Sequence, residues 1–329
     1  MRVRCLPWCV LLAGLIAAPA LGQPGASLSS FQLLRFDAAA RTAALGGAYT
    51  AMGGGDVNVL FYNPAAVGPA TSNAPSLSYL NHLAGIDAGT LAYSHTVPSL
   101  RTTIGAGLRF VHWGTLQRRT VRGERAGTFS AGDVALTLGG ARALGTRVRV
   151  GSTVHFLYSQ IDRAQATALA TDIGVLYHVP ARRLRLGASV RHLGVSLQGY
   201  SRRAVSLPLD LQVGVSKRLA HLPLLLTLTA YDLTKMDTGV EGGSTIDHVL
   251  GHLTFGGEVQ MGDALRLRAG YNHRRSRDLA STADGADLGG LGGGFGVAVG
   301  GVAVDYAYNS WSALGGLHQF TLRADLDAL

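Results

Sequence analysis

From Ser76 onward the chain alternates apolar and polar residues with period two, in segments of about ten residues. Arg147 to Tyr158 shows the pattern well. Val148, Val150, Val154, Phe156 and Tyr158 fall on one face, and Arg147, Arg149, Gly151, Thr153 and His155 on the other. Leu265 to Arg274 repeats it, with Leu265, Leu267, Ala269 and Tyr271 opposite Arg266, Arg268, Gly270, Asn272 and Arg274. Leu184, Leu186, Ala188 and Val190 likewise oppose Arg185, Gly187, Ser189 and Arg191. A helix would spread these arginines around its circumference; a strand gathers them on one side.

Alternation suits a soluble sandwich as well as a membrane barrel, so the connections decide. Strands are predicted near 76–80, 88–97, 102–112, 128–142, 147–161, 168–179, 184–193, 209–218, 224–232, 252–261, 265–274, 291–299, 302–309 and 316–326. Short links fall at Pro98 to Arg101, Ala143 to Thr146, Pro180 to Arg183, Leu219 to Pro223, Gly262 to Ala264 and Gly300-Gly301. Longer ones alternate with them, at 81–87, 113–127, 162–167, 194–208, 233–251, 275–290 and 310–315. Outer-membrane barrels put short turns on the periplasmic rim and long loops on the outer one. A Greek-key sandwich has no reason to sort its loops by parity. The expected fold is all-β: a transmembrane antiparallel β-barrel of about fourteen strands over residues 76–329. The last strand closes it, with Phe320, Leu322, Ala324 and Leu326 opposing Gln319, Thr321, Arg323 and Asp325.

Two segments depart from the pattern. Residues 23–75, rich in alanine and glycine from Arg41 to Gly54 and with a turn at Asn63-Pro64-Ala65-Ala66, are too irregular for a wall. They are expected to cap the periplasmic mouth or plug the lumen. Residues 1–22 read as a signal peptide: Arg2 and Arg4, an apolar run from Leu6 to Ala18, then Ala20-Leu21-Gly22 before the cleavage point. Cys5 and Cys9 lie inside it, so the exported chain would hold no disulfide or thiolate site.

Composition agrees with a wall greasy on one side and polar on the other. Charged residues are only 15%, and the 45 glycines are about twice the usual share. The net charge of +9 would suit nucleic acid, but the arginines are scattered one or two per segment. A basic lumen and basic loops account for it better. Lumen charges are expected at Arg109, Arg147, Arg149, Arg185, Arg191, Arg266, Arg268 and Arg323, with Asp133, Asp172, Asp210, Glu258, Asp305 and Asp325 on the same face. Both signs are present, which favours a lumen knitted by ion pairs over an anion-selective pore. Arg118, Arg119, Arg122, Arg125, Arg202 and Arg203 fall in loops, where they would meet an extracellular partner or acidic lipopolysaccharide. Tyr158, Tyr177, Trp113 and Trp311 lie near strand ends, as an interfacial girdle would.

No motif selects an enzyme. Gly289 to Gly296 lacks the lysine and the helix of a phosphate loop and reads as small residues packed inside a strand. His248 and His252 have a metal-like spacing but sit where a loop enters a strand. There is no GxSxG elbow, and nothing in the spacing selects His155 or Ser159 at the outer rim. Catalytic residues, metal ligands and cofactors are therefore all read as none.

The run Ala40-Arg41-Thr42-Ala43-Ala44-Leu45-Gly46-Gly47-Ala48, then Asp56 and Tyr62-Asn63-Pro64-Ala65, resembles the N-terminal signature of the PorV/PorQ family. Leu77-Ser78-Tyr79-Leu80-Asn81-His82-Leu83, Ile86-Asp87-Ala88-Gly89 and Ala92-Tyr93 are similar to its PorQ-type members in particular. These motifs cover only about residues 40–95, with Gly46, Gly47, Asn63, Pro64 and Ala65 at their centre. The resemblance implies a FadL-like barrel in the outer membrane of a Bacteroidota-like Gram-negative bacterium. It implies a non-enzymatic part of the type IX secretion system, anchoring a PorZ-like surface protein where cargo is attached to lipopolysaccharide. The alternative reading is a FadL-like transporter of hydrophobic or small anionic molecules.

Overall fold

The computed structural model describes residues 31–47, 49–82, 85–200, 205–235, 245–278, 288–310 and 315–329. The expected signal peptide, Arg202, Arg203 and Trp311 lie outside these residues. The described chain forms fourteen strands: β1 (Ser76–Asn81), β2 (Asp87–Val97), β3 (Thr102–Arg119), β4 (Arg125–Leu144), β5 (Val148–Ile161), β6 (Ala164–Val179), β7 (Leu184–Gln198), β8 (Asp210–Arg218), β9 (Leu224–Ala230), β10 (Leu253–Met261), β11 (Leu265–Asn272), β12 (Leu291–Val299), β13 (Val302–Ser310) and β14 (Gly316–Ala324). Each pairs antiparallel with its sequence neighbours, and β1 pairs β14 from Ser76↔Arg323 to Asn81↔His318 to close the barrel. Closure removes the two open edges that such a sheet would otherwise carry in lipid.

The pleat sorts the side chains as the alternation requires. Leu77 and Tyr79 of β1, Val154 and Phe156 of β5 and Phe320 and Leu322 of β14 point outward and are exposed. Ser76, Ser78, Thr153, His155, Gln319 and Thr321 point inward and are buried. Apolar side chains exposed outside and polar ones buried inside reverse the order of a soluble sheet, and lipid is the solvent that makes that order stable.

The connections differ in part from the expectation. β3 and β4 run to 18 and 20 residues, beyond the nine to eleven or so that span a bilayer. Their link shrinks to 120–124, and β5 meets β6 across Asp162-Arg163 alone. Loop parity is thus looser than the sequence pattern implies, because the polar continuations 113–119, 125–127 and 164–167 keep pairing past the apolar belt. Two short helices stand in the remaining long links: α2 (Thr245–Leu250) and α3 (His273–Asp278). Arg274 therefore sits on a helix rather than at the end of a strand.

Residues 31–47 and 49–75 lie inside the barrel. They form a helix, α1 (Ala40–Ala44), and single turns at Gln32–Arg35, Val57–Phe61, Pro64–Ala66 and Pro69–Thr71. Asp56 caps the second turn through Asn58 N at 3.1 Å. Asn63 caps the third through Ala65 N at 3.0 Å, with Pro64 at the first position, where no N–H is needed. Gly46 and Gly47, at φ 85° and 86°, end α1 in the left-handed region. This plug segment has a core of its own: Tyr49, Met52, Val57, Val59, Leu60 and Val67 are fully buried.

Inward-facing glycines let the segment lie against the wall. A Cβ on Gly270 would fall 2.3 Å from Gly46 N, one on Gly151 2.5 Å from Pro64 C, and one on Gly174 2.0 Å from Asn63 Oδ1. In the glycine-rich β12, Gly292 and Gly294 face Ala43 O and the Ala44 Cβ, which accounts for that run without a phosphate.

Candidate functional site

Inside the barrel, charges from plug and wall form one alternating chain. Arg41 of α1 meets Glu258 of β10 through two bonds, Nε–Oε2 at 2.8 Å and Nη2–Oε1 at 2.9 Å. Arg268 of β11 joins Glu258 at 2.8 Å and Asp305 of β13 at 2.6 Å. Arg323 of β14 grips Asp305 at 2.7 and 3.0 Å. Asp56 of the plug completes the set, with its Oδ2 4.0 Å from Arg41 and 2.9 Å from the Tyr49 hydroxyl that donates to it. Burial pushes the Asp56 carboxyl up, but Arg323, Arg41 and the Asn58 and Tyr49 hydrogen bonds outweigh it and hold the group below the ordinary carboxylate range. Stranding any one of these buried charges would cost about 3–5 kcal/mol, so the set acts as a latch between plug and wall.

A second cluster centres on a β-bulge. Thr171 pairs Leu193 and Ile173 pairs Val190, so Arg191 and His192 of β7 together oppose Asp172 of β6. His192 takes φ 58°, and both consecutive side chains turn inward and are buried. The outward face then changes parity, from Leu186 to Leu193, Val195 and Leu197. Asp172 accepts His192 N at 2.7 Å and lies 3.0 Å from His155 Nε2. His155 Nδ1 meets Thr137 Oγ1 at 2.8 Å.

The remaining lumen candidates are spread out. Arg109 is buried, donates to Phe36 O and stacks over Phe61 at 5.5 Å. Arg149 and Arg185 lie over Gly68 and Gly53 of the plug. Asp210 sits 3.6 Å from Arg191. Arg266 is half-buried and makes no ion pair among the described residues. Asp133 accepts from Ser159 and from Trp113 Nε1 at 3.2 Å. Two inward assignments fail. Arg147 is exposed in the turn before β5, and Asp325 is exposed beyond the end of β14. Trp113 is no girdle residue: the register shift between His112 and Thr115 turns it onto Phe36 inside, ring centroids 5.6 Å apart.

Of the loop arginines, Arg118 pairs with Asp162 at 2.5 Å, Arg119 donates to Gly123 O at 3.1 Å, and Arg122 and Arg125 are exposed nearby. His248 stands in the last turn of α2 and His252 lies beyond its end, bonded to Tyr231 O at 2.9 Å, so the pair shares no helix face. His155 and Ser159 share the inner face of β5 about 13 Å apart along the strand, and Ser159 is engaged by Asp133 and Tyr200. No group of three possible metal ligands occurs among the described residues.

The lumen is not filled to its long-loop end. A cavity of about 450 Å³ lies above the plug. The Gln32–Arg35 turn contributes Leu34 and Arg35 to it, β7 gives Arg191 and His192, β10 gives Thr254, and α3 gives Arg274 and Arg275. A separate recess of about 660 Å³ lies outside, over Gly257 and Ala269 between Leu226, Phe255 and Tyr271, where lipid covers it.

Solved structures resemble this arrangement over most of the chain. The toluene transporter TodX of Pseudomonas putida matches with a TM-score of 0.57 at 11% identity, over 87% of this chain and 96% of that one. A deltaS2 mutant of the TodX monoaromatic hydrocarbon channel matches with 0.57 at 12%, over 89% and 98%. A FadL homologue from Pseudomonas aeruginosa matches with 0.55 at 11%, over 87% and 98%. No family model matches the sequence. No curated protein matches it either.

These findings establish an outer-membrane β-barrel fold, embedded in lipid. They correct the PorV/PorQ resemblance and the secretion reading built on it. The similarity runs to hydrocarbon channels and a FadL homologue, and no family model supports the PorQ-type motifs. The residues behind that resemblance have a structural explanation: Gly46, Gly47, Asn63, Pro64 and Ala65 shape the turns by which the plug meets the wall. The type IX secretion system and the PorZ-like partner fall with it.

Sequence reasoning missed Arg41, Asp56 and His192. The first two stood inside the quoted motif and passed as signature residues rather than as charges. For His192 a signal existed: two polar residues, Arg191-His192, interrupt the alternation, and the apolar positions resume one step out of phase.

Proposed function

We propose that this chain is a FadL-like, non-enzymatic channel that admits small hydrophobic molecules through the outer membrane. One observation carries the reading: a closed fourteen-stranded barrel holds its own N-terminal segment in the lumen and leaves a cavity above it at the long-loop end. The printed titles of two similar structures name a toluene transporter and a monoaromatic hydrocarbon channel. Residues 1–22 serve as the export signal, residues 23–75 as the plug and 76–329 as the wall. Short turns face the periplasm, and Arg119, Arg122 and Arg125 in the outer hairpin meet the anionic groups of lipopolysaccharide. The test is uptake of toluene into liposomes carrying the purified barrel. Uptake faster than in protein-free liposomes is expected; equal rates overturn the reading.

A further inference from the structure

The cavity above the plug is not the apolar chamber that a hydrocarbon alone needs. Three of its four carboxylates are already engaged, and the fourth, Asp278, is exposed at the end of α3. Arg274 holds Asp232 at 2.6 Å, Arg275 holds Asp37 at 3.3 Å, and Asp210 accepts Gln212 Nε2 at 2.5 Å and Asp232 N at 2.6 Å. Two cations are left with long contacts. Arg35 stands 3.9 Å from Asp232, and Arg191 stands 3.6 Å from Asp210. Arg191 is only 6% exposed, and its Nε has no hydrogen-bond partner. Its other neighbours are His192 Nε2 at 3.4 Å and the Tyr62 ring at 5.4 Å. Thr254, at 1% exposure on the same cavity, also has an unpartnered hydroxyl.

Buried guanidinium groups normally satisfy their donors, because leaving them bare costs more than a hydrogen bond returns. The bulge in β7 brings Arg191 here, and bulges often re-aim side chains beside sites. Leu34, Phe36 and Tyr62 supply an apolar, partly aromatic wall next to it. The volume lies within the range of small-molecule pockets.

From this geometry we infer that the cavity binds a compact organic carboxylate with an aromatic body. The carboxylate accepts from Arg191, with Arg35 as the second cation, and the ring lies against Phe36 and Tyr62. The inference rests on the channel reading only for what happens after binding, and it narrows the substrate class from hydrocarbons to their acids.

The experiment uses the full barrel in detergent, with benzoate, toluene and acetate as probes and calorimetry as the readout. Benzoate is expected to bind saturably and acetate at least tenfold more weakly. Arg191→Met is expected to weaken benzoate at least tenfold while leaving heat-modifiable folding on gels intact. Should Arg191→Met fail to fold, Arg35→Gln on the plug turn takes its place, with a severalfold loss expected. Benzoate binding that is absent, or unchanged in the folded variant, overturns the inference, and so does acetate binding as tightly as benzoate. Liposome uptake keeps the two readings apart. Benzoate bound but neither benzoate nor toluene taken up leaves the site standing and defeats the channel; toluene taken up without benzoate binding does the reverse.

Discussion

Arg41 and Glu258 stand 217 residues apart in the chain and meet in a two-bonded ion pair inside the barrel. Glu258 is shared with Arg268, whereas Arg41 has a second acid only at 4.0 Å, in Asp56. The two ends of the pair are therefore unequal. Glu258→Gln leaves buried Arg41 with an acid only at 4.0 Å and Arg268 with Asp305 alone, and should destabilise plug docking by about 3–5 kcal/mol. Arg41→Met leaves Glu258 paired with Arg268 and should cost less. Trypsin cleavage at Arg35 and single-channel conductance report docking, and both should rise in the order wild type, Arg41→Met, Glu258→Gln. The reverse order would refute the shared role of Glu258.

The same latch should open in acid. Asp56 is held below its ordinary value in the folded protein. Its contribution is then fully present above the unfolded value, near pH 4, and is lost as pH falls through the lower folded value. Trp113, packed on Phe36 of the plug, is the reporter. Its fluorescence should stay constant from pH 7 to about pH 4 and change below that. Asp56→Asn should dock less firmly at neutral pH and flatten the acid transition. An acid midpoint identical in the variant would count against the assignment.

The fold was legible because alternation and turn residues are local, and lipid imposes a single rule on all fourteen strands. What joins distant segments was not. The inward parity of Glu258, Arg268 and Asp305 follows from the strand period, but nothing local says that Arg41 arrives between them. The polar ends of β3, β4 and β6 read as loops in the sequence because pairing beyond the apolar belt leaves no hydrophobic period. The helices α2 and α3 carry too few apolar positions to announce themselves. Residues 40–66 invited a reading by resemblance, because their glycines and Asn-Pro turn have no period that reveals what they pack against.

Glycines of the inner face offer a test of the plug's position. A side chain at Gly270 would strike backbone at Gly46, which has no freedom to yield. Gly270→Val should expel or shift the plug and raise conductance severalfold while the barrel still folds. Gly257 is the control: it faces lipid, and its added Cβ would find only Leu224 and Leu226 methyls at 3.8 Å. Gly257→Val should leave conductance unchanged. Equal effects at both positions would mean that the plug does not rest on this wall.

The bulge at Arg191-His192 sets which face of β7 meets lipid beyond it. Deleting His192 would let Leu193 follow Arg191 in strict alternation, with Leu193, Val195 and Leu197 still facing lipid, whereas inserting a serine after His192 would turn them into the polar lumen, since a one-residue shift moves every side chain to the other face. The insertion should abolish the heat-modifiable folded band on gels, and the deletion should keep it. His192→Gly keeps the extra residue, keeps the backbone N–H that Asp172 accepts, and relieves the left-handed φ of 58°. It should fold about as well as wild type, while His192→Val, β-branched and left-handed, should lose roughly 1–2 kcal/mol in urea titration. A tolerated insertion would show that the parity change is not needed to place this strand in the membrane. If His192→Gly failed as badly as the insertion, the imidazole rather than the bulge would be what the position requires.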